Sequence, residues 1–327
     1  MFKKLKKAIE SKRNSKNPFW KALIHLKDSA WRTSPYLGNG WFTCNRYEGF
    51  NIKNFKRKKL TPNLIILGAM KSGTSSIFHN LKKHKDIFGL NNKESGLFLD
   101  PEKRINHPNW TTKNSEIRFN LSDKDLLKIM LRGYNGERYI FDGSTYYTKY
   151  PTQGKESPKK IKKLSQNPKL LYIVRNPISR IISHYLHLKK YLKKLKNLNI
   201  NTALKKYPKS FINFSLYYTQ ISQYLKHFPK KDIKIIIFEE FIKNEKKTYK
   251  KILKFLGLDS KDFIKNLKPK IYNKSENRKS FKKEELKLTK NNYKKITKPI
   301  KEDIRKLEAL LGRKINWDLS EKTWVKK

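Results

Sequence analysis

The sequence predicts an α/β fold in which helices cover both faces of a mostly parallel central sheet, giving a three-layer α/β/α domain. Apolar segments alternate with segments of helical periodicity along most of the chain, the order expected of parallel strands joined by helical crossovers. Several of the apolar segments are hydrophobic at consecutive positions, as in strands buried on both faces. With 327 residues, 37% of them hydrophobic, the chain can enclose one large core.

The strands are predicted from short apolar segments. The clearest are LIIL at 64–67, KLLYIV at 169–174 and IKIIIF at 233–238, because each is a continuous apolar run of strand length. Residues 86–89 and 138–142 are assigned to shorter strands, and residues 97–99 to a further extended segment.

The helices are predicted from periodicity and from their terminal residues. Residues 122–132 begin with an N-cap serine, and the helices at 157–167 and 178–195 begin beside prolines, which suit a first helical turn. Residues 246–256 end at Gly257, a common helix terminator. The other predicted helices are residues 76–83, 211–228, 283–295 and 301–311. A loop is expected at 265–282, which is rich in lysine and asparagine.

Residues 1–60 differ in composition from the rest and are assigned to an N-terminal extension before a domain at 61–327. The extension holds Trp20, Trp31 and Trp41 and ends in a basic run. Its first residues, MFKKLKKAIESKR, have the pattern of a short basic amphipathic helix, which would make weak peripheral contact with an anionic membrane. A solvated, frayed terminus is the favoured alternative.

The charge of the chain is strongly positive. There are 78 lysines and arginines against 27 acidic residues, a formal net charge of +51. Such a balance suggests a polyanionic partner, but the lysines are spread over the whole length. Because a basic stripe with interleaved aromatic residues is not found, a nucleic-acid-binding protein is the least favoured hypothesis.

The single cysteine, Cys44, excludes an internal disulfide and a CxxC-type metal site. We find neither an apolar run of membrane-spanning length nor a signal-peptide pattern. A cytoplasmic location is the expectation that follows from these sequence features.

The segment LIILGAMKSGTSSIFHNLKK at 64–83 is the most informative in the chain. It contains a strand, then a turn bounded by Gly68 and Gly73, and then a helix. In that geometry backbone N–H groups and a helix N terminus converge on an anion, and Lys71 adds a positive charge. The segment therefore predicts a P-loop-like grip on a phosphate or sulfate group.

The second anion-binding candidate is LLYIVRNPISRIISHYLH at 170–187. A buried strand delivers Arg175 at its carboxyl end, and Ser183 follows two turns into the next helix. Arginine suits a terminal phosphate because its planar guanidinium donates two parallel hydrogen bonds.

An ATP-dependent P-loop kinase is the main alternative. The order of residues in the first loop differs from GxxxxGK[ST], because Lys71 precedes Gly73 and Thr74 follows that glycine directly. The strand at 233–238 is followed by Glu239 and Glu240. Either carboxylate could bind Mg²⁺, so the kinase hypothesis stays open. We find no carboxylate cluster suited to that ion.

Together the two segments resemble the PAPS-dependent sulfotransferases. GAMKSGTSS is similar to that family's loop for the 5′-phosphosulfate, and IVRNPISRIISHY is similar to its 3′-phosphate site. KESGLF at 93–98 resembles the K-E-x-x-x-F segment of the carbohydrate-sulfating branch, and DGSTYY at 142–147 resembles its E-K-[ST]-P-x-Y-F segment. IFEEFIKN and LLGRKINW fit features nearer the family's C-terminal end.

The resemblance implies a role for each matching residue. The loop residues would hold the 5′-phosphosulfate of 3′-phosphoadenylyl sulfate, the co-substrate; they are Lys71, Ser72, Gly73, Thr74, Ser75 and Ser76. Arg175 and Ser183 would hold the 3′-phosphate. Lys71 would also stabilise the leaving group, and Glu94 would be the general base. The implied acceptor is a hydroxyl, on a carbohydrate in preference to a phenol or steroid, with an amine left open.

Sulfuryl transfer makes three chemical demands that these residues can meet. Charge that grows on the leaving phosphate must be stabilised, which suits Lys71 and the loop amides. The acceptor hydroxyl must lose its proton, which suits Glu94. The attacking and leaving oxygens must be roughly in line. No metal is demanded, because the transferred group carries less charge than a phosphoryl group.

The sequence departs from the family pattern at two places. The DGSTYY segment lacks the family's proline and has Gly143 where a lysine is common. The nearest match to the family's late basic loop is NRKSF at 277–281, with Arg278 and Lys279 but without the glycine.

Other polar residues near these motifs are open to two interpretations. Asp142 would orient a lysine or cap a strand end, and of Tyr146 and Tyr147 we expect one in the core and one in the acceptor cleft. Arg180 would contact the nucleotide or face water.

The histidines are assigned to structural positions. His184 and His187 stand three residues apart on one predicted helix, but without a third ligand packing or exposure is favoured over metal binding. His79 and His84 are expected on a helix surface.

Overall fold

The computed structural model describes residues 60–100, 123–191, 195, 197–268 and 283–326. The chain forms two compact units, one of residues 1–58 and 100–136 and the other of residues 59–99 and 137–327. The described part of the first unit contains one helix, within the predicted 122–132. The predicted N-terminal extension, apart from Leu60, and the stretch with Arg278 and Lys279 lie outside the described residues.

The second unit is built on a five-stranded sheet whose strand pairs are all parallel. The strands are β1 (Leu64–Gly68), β2 (Ile87–Gly89), β3 (Tyr139–Asp142), β4 (Lys169–Val174) and β5 (Ile233–Ile237). Their order in the sheet is β2-β3-β1-β4-β5. The predicted α/β class with a mostly parallel sheet is therefore confirmed. Residues 97–99 form a turn instead of an extended segment.

The described residues form twelve α-helices, all but one of them in the second unit. They are α1 (Thr74–Leu81), α2 (Asp123–Met130, in the first unit), α3 (Ser157–Leu164), α4 (Pro177–Tyr191), α5 (Ile200–Lys206), α6 (Pro208–Ile212), α7 (Tyr217–Leu225), α8 (Phe238–Lys243), α9 (Glu245–Leu256), α10 (Lys261–Asn266), α11 (Lys290–Leu311) and α12 (Glu321–Trp324). One buried cluster joins sheet residues to α1, α9 and α10, and another joins α4, α5 and α11. Within the described ranges, none of these helices is both long and apolar enough to cross a bilayer.

Strand β1 is the centre of the sheet and sets the position of the functional loops. All five of its residues are buried. It pairs with β3 on one side and β4 on the other, and Leu64 lies opposite both Phe141 and Lys169. Because parallel strands end at the same edge of a sheet, the segments that follow β1, β2, β3 and β4 emerge side by side.

Two predicted helical segments differ from the structure. The segment 211–228 is interrupted by a 3₁₀ turn, Asn213–Ser215, before α7 begins. The two closing helices predicted at 283–295 and 301–311 are instead a 3₁₀ turn, Lys283–Leu286, and the single helix α11, which continues through Pro299. The buried face of α11, with Ile296 and Ile300 on either side of the proline, packs well enough to offset one lost backbone hydrogen bond.

Asp303 on α11 fixes the start of α7. Its buried carboxylate accepts hydrogen bonds from the backbone N–H of Tyr218 (2.8 Å) and of Thr219 (2.9 Å) and from the Thr219 hydroxyl (2.7 Å). A carboxylate at these N–H groups also complements the positive end of the helix dipole. The contact ties two helices 84 residues apart in sequence.

We expect Asp303→Ala to lower the free energy of unfolding by about 2–3 kcal/mol, because it removes a buried acceptor from three partly buried donors. The matched control is Glu302→Ala, one residue earlier on the same helix, which removes only an exposed i,i+4 contact with Lys306 and should change stability little. Denaturant titration of both variants is the measurement. Equal losses in the two variants would contradict the assigned role of Asp303.

Candidate active site

The turn after β1 is held open by two glycines at close backbone approaches. Gly68 has φ +151°, and a Cβ there would lie 2.0 Å from the hydroxyl oxygen of Thr148. Gly73 has φ +85°, and a Cβ there would lie 2.8 Å from the ring of Phe238. Only glycine fits both positions without displacing a neighbour. The turn therefore keeps the shape in which its backbone can curve around an anion.

Lys71 and Arg175 are brought together at the end of the adjacent strands β1 and β4. A guanidinium N–H of Arg175 donates to the carbonyl oxygen of Lys71 (3.0 Å), and the guanidinium lies over the ring of Phe238, 4.8 Å from its centroid. Burial, followed by the charges of Arg175 and Lys93, lowers the pKa of the Lys71 ammonium to about 8. Two cationic residues held next to each other in this way favour the binding of an anion.

The remaining loop residues lead directly into α1. The helix begins at Thr74, two residues before the predicted start, with Gly73 as its N-cap. The backbone N–H groups of Thr74, Ser75 and Ser76 therefore belong to the first turn, at the positive end of the helix dipole. The hydroxyl of Ser72 is fully enclosed and has no hydrogen-bond partner among the described residues.

The segment that carries Arg175 is anchored from two sides. The hydroxyl of Tyr217 donates to the carbonyl oxygen of Arg175 (2.7 Å). The next residue, Asn176, donates its backbone N–H to Glu239 (2.9 Å), and its side-chain oxygen caps α4 by accepting from the N–H of Ser179 (3.0 Å). The guanidinium of Arg175 is thus attached to a rigid backbone.

The two glutamates after β5 are engaged in structural contacts. Glu239 also accepts from the indole N–H of Trp317 (2.8 Å), and Glu240 forms an ion pair with Arg313 (2.6 Å). The kinase hypothesis needs a carboxylate at this strand end that is available to a metal ion. Both carboxylates are instead used to hold the C-terminal segment and the Arg175 segment.

Ser183 lies half-buried on α4, two turns after its start. It belongs to the helix that follows Arg175, as the motif predicts. Its contact with a 3′-phosphate stays a prediction.

Glu94 lies in the segment after β2 and is tied to the segment after β3. Its carboxylate accepts from the backbone N–H of Thr145 (2.8 Å) and from the Thr145 hydroxyl (3.2 Å), and it pairs with the ammonium of Lys93. About a third of its side chain (32%) is exposed. The carboxylate is therefore fixed in direction while one side stays accessible to a substrate.

Asp142 is the buried centre that joins these two segments. Its carboxylate accepts from the hydroxyls of Ser95 (2.7 Å) and Tyr147 (2.5 Å) and from the backbone N–H of Ser144 (3.1 Å). Burial raises its pKa to about 6, against these hydrogen bonds, which lower it. Of the two predicted roles, Asp142 has that of a strand-end cap, and its partners hold Glu94 in place from both flanks.

The space beside Gly143 explains why this position carries no lysine. A Cβ there would lie 2.6 Å from the ring of Phe78 and 2.9 Å from the side chain of Lys93. The ammonium of Lys93 donates to the carbonyl oxygen of Gly143 (2.9 Å) as well as pairing with Glu94. Lys93 thus occupies the volume into which a side chain at position 143 would project.

Several side chains are more buried than the sequence predicts. Tyr146 and Tyr147 are both buried, so neither is an open cleft residue. Arg180 does not face water, because it is fully buried and donates to the Ser215 hydroxyl and the Phe211 carbonyl oxygen, both at 2.7 Å. His84 is buried as well, with its Nε2 2.9 Å from the carbonyl oxygen of Asp259.

The histidine pair on α4 is separated by environment. His184 is buried against Phe211, and burial lowers its pKa well below the usual value. His187 is less buried, and burial together with the charge of Lys71 lowers its pKa to about 4. Among the described residues, no group of three or more histidine, cysteine, aspartate or glutamate side chains is arranged to hold a metal ion.

Two cations near the loop were not predicted from the sequence, Lys93 and Lys149. Lys93 stands next to Glu94 in the KESGLF segment, and this adjacency to a candidate site residue could have indicated its position. Lys149 follows the DGSTYY segment and is only 6% exposed, a property that no local pattern indicates.

Comparison with known proteins gives matches over most of the chain. The family model described as "Sulfotransferase domain" matches residues 61–314. Two curated relatives from Mus musculus, heparan sulfate glucosamine 3-O-sulfotransferases 3B1 and 3A1, are each 24% identical over 206 residues, which is 61% of this chain and 47% of the relative. The chain thus spans about half the length of these relatives.

A solved structure supports the fold. The sulfotransferase from Alicyclobacillus acidocaldarius superposes with a TM-score of 0.61 at 24% identity, covering 78% of this chain and 97% of the other. At that identity the likeness concerns the architecture of the sheet and its helices.

Asp142→Asn should change the pH dependence of stability between about pH 4 and pH 6. Because the folded pKa is raised from 3.8 to about 6, the folded state binds a proton more tightly than the unfolded state. The protonated Asp142 therefore stabilises the folded state. This stabilisation is complete below the pKa of the unfolded state and is lost as pH rises through 6. The shift corresponds to about 3 kcal/mol.

The measurement is denaturant titration of the wild type and the variant at pH 4, 5, 6 and 7. We expect the stability of the wild type relative to Asp142→Asn to fall as pH rises over this range. A constant difference would mean that Asp142 titrates as an ordinary carboxyl.

Proposed function

The chain belongs to the sulfotransferase family, and on that premise we propose that it moves a sulfuryl group from 3′-phosphoadenylyl sulfate to a hydroxyl of a carbohydrate. The observation that carries the proposal is the contact of Lys71 and Arg175 at the edge of the sheet. Each belongs to one of the two motifs that resemble the family's nucleotide site. Their meeting in space supports one site with two anion-binding parts.

The donor would be held along the edge of the sheet formed by β1 and β4. The 5′-phosphosulfate would lie in the turn after β1, beside Lys71, Ser72 and the first backbone amides of α1. The 3′-phosphate would lie against Arg175 and Ser183. Arginine is suited to this position because its planar guanidinium can donate two parallel hydrogen bonds to a phosphate.

The transfer step follows from these positions. The acceptor oxygen attacks sulfur, the bond between sulfur and the bridging phosphate oxygen breaks, and the electron pair stays on the leaving phosphate. Lys71 and the loop amides stabilise that charge, as preorganised donors do at an oxyanion. Glu94 takes the proton of the acceptor hydroxyl, and its fixed carboxylate is oriented for that task.

The carbohydrate acceptor is supported by two independent comparisons. KESGLF at 93–98 resembles the segment of the carbohydrate-sulfating branch, and Glu94 within it is held in a defined direction. The two curated relatives are named for transfer to heparan sulfate glucosamine. Neither observation selects the sulfated position.

Calorimetry with adenosine 3′,5′-bisphosphate and with ATP–Mg²⁺ tests the donor. At salt high enough to suppress non-specific binding to a basic protein, we expect the bisphosphate to bind and ATP–Mg²⁺ to bind far more weakly. Arg175→Ala should weaken the bisphosphate at least tenfold while changing AMP little, because AMP has no 3′-phosphate.

Lys71 provides a signature within the same experiment. Because its pKa in the free protein is about 8 and an anion stabilises the ammonium, binding at pH 8–9 should take up protons. Repeating the titration in buffers of different ionisation enthalpy measures the uptake, and Lys71→Met should remove it. Preference for ATP–Mg²⁺ would overturn the proposed function in favour of a kinase.

Glu94→Gln should lower kcat at least a hundredfold, because general-base catalysis contributes about 10²–10⁴, while leaving bisphosphate affinity nearly unchanged. The amide keeps the shape of the side chain and an oxygen that can accept from Thr145. Single-turnover transfer and calorimetry on one preparation give the two quantities. A large loss of nucleotide affinity with normal turnover would remove Glu94 from the role of base.

A further inference from the structure

Lys149 is a buried lysine that the proposed transfer step does not use. It lies after β3, and only 6% of the residue is exposed. Its backbone is fixed on both sides, because its N–H donates to the carbonyl oxygen of Tyr146 (3.2 Å) and its own carbonyl oxygen accepts from the Thr152 hydroxyl (2.7 Å). The ammonium therefore has a defined position.

Aromatic rings surround that ammonium. Its Nζ lies 3.5 Å from the centroid of the Tyr146 ring and 5.6 Å from that of Phe214. No carboxylate in the described ranges of the chain comes within ion-pair distance of it. Cation–π contact offsets part of the cost of burying a charge, but an ammonium without a counter-ion is still unfavourable in such a place.

Contacts along the chain place Lys149 near the transfer site. The preceding residue, Thr148, lies against Gly68 of the donor loop. Tyr146, whose ring lies under the ammonium, directly follows Thr145, which donates to Glu94. Burial lowers its pKa to about 7; Glu94 acts in the opposite direction, and the buried guanidinium of Arg180 lowers the pKa further. His187 is influenced by Lys71, Lys149 and Glu94 together. The charges of Lys71, Glu94 and Lys149 therefore influence the same part of the protein.

We propose that the Lys149 ammonium binds a negatively charged group of the acceptor, a carboxylate or a sulfate close to the reacting hydroxyl. This inference rests on the proposed function and names a specificity-determining residue for it. Because Lys149 is already desolvated and fixed, an anion that reaches it gains an ion pair without the cost of ordering a flexible side chain. Glu94 repels the same anion, so the charged group would lie on the Lys149 side and the hydroxyl on the Glu94 side.

Two other roles lead to different results. A neutral Lys149 acting as a second base would affect kcat for every acceptor. A lysine that only fills space would affect charged and uncharged acceptors equally. Of the three roles, only anion recognition predicts that the effect of substituting Lys149 depends on the charge of the acceptor.

The test uses a matched pair of acceptors and two lysine variants. The acceptors are oligosaccharides of equal length that alternate uronic acid with N-acetylglucosamine, one with its carboxylates and one with them reduced to hydroxymethyl groups. The variants are Lys149→Met and the control Lys159→Met, which removes an exposed lysine (69% exposed) from α3. Equilibrium binding to the bisphosphate-loaded protein and KM for transfer are measured at high salt.

We expect the wild type and Lys159→Met to prefer the acidic oligosaccharide. Lys149→Met should lose that preference, with affinity and KM for the acidic form weakened at least tenfold and values for the reduced form unchanged. Lys149→Gln provides the same comparison if the methionine variant does not fold.

The proposal is overturned if the Lys149 variant keeps the preference for the acidic oligosaccharide or if the wild type shows no such preference. It is also overturned if the variant loses affinity equally for both oligosaccharides. A fall of kcat with both acceptors at unchanged affinity assigns Lys149 to proton transfer instead and also overturns it. Bisphosphate binding measured in parallel separates these results from a failure of the proposed function, which would appear as a protein that does not bind the donor product.

Discussion

The pairing of β1 with β4 is the constraint on which the site depends. The two strands lie side by side and parallel at the centre of the sheet, so the segments that follow them emerge together although they are about 100 residues apart. That proximity allows the Arg175 guanidinium to reach the Lys71 carbonyl oxygen. The lysine and arginine are thereby held close by backbone geometry, in the absence of any attraction between their charges.

A second pairing, of β2 with β3, organises the acceptor side in the same way. The segments after these strands are joined through Asp142, and the contacts of Ser95, Ser144 and Tyr147 with that carboxylate are all buried. Glu94 is held by Thr145 on one side of this centre. The direction of the proposed base is thus decided by an acid that does not itself meet the substrate.

Features that depend on local sequence patterns could be predicted from the sequence. Short apolar segments located the five strands of the described sheet. The strand–turn–helix order around Lys71 and Arg175 located two segments that meet at one edge of that sheet. Long-range packing could not be read in the same way. The helices predicted at 283–295 and 301–311 leave Pro299 between them, whereas α11 continues through this proline. The burial of Arg180, His84 and Lys149 was not predicted, because the identity of a charged residue does not show which residues pack around it.

The accumulation of cations at one edge of the sheet has an energetic consequence. Burial and neighbouring positive charge lower the pKa of both Lys71 and Lys149, which means that the folded protein without ligand keeps these ammonium groups at a cost. Hydrophobic packing of β1 and β4 elsewhere in the sheet must offset that cost. An anionic ligand relieves it, since each negative charge that enters the site restores the stability of an ammonium. Binding and folding are therefore coupled through the same groups. For the donor that we propose, such a site would distinguish a nucleotide with a 3′-phosphate from one without it by the number and position of the negative charges.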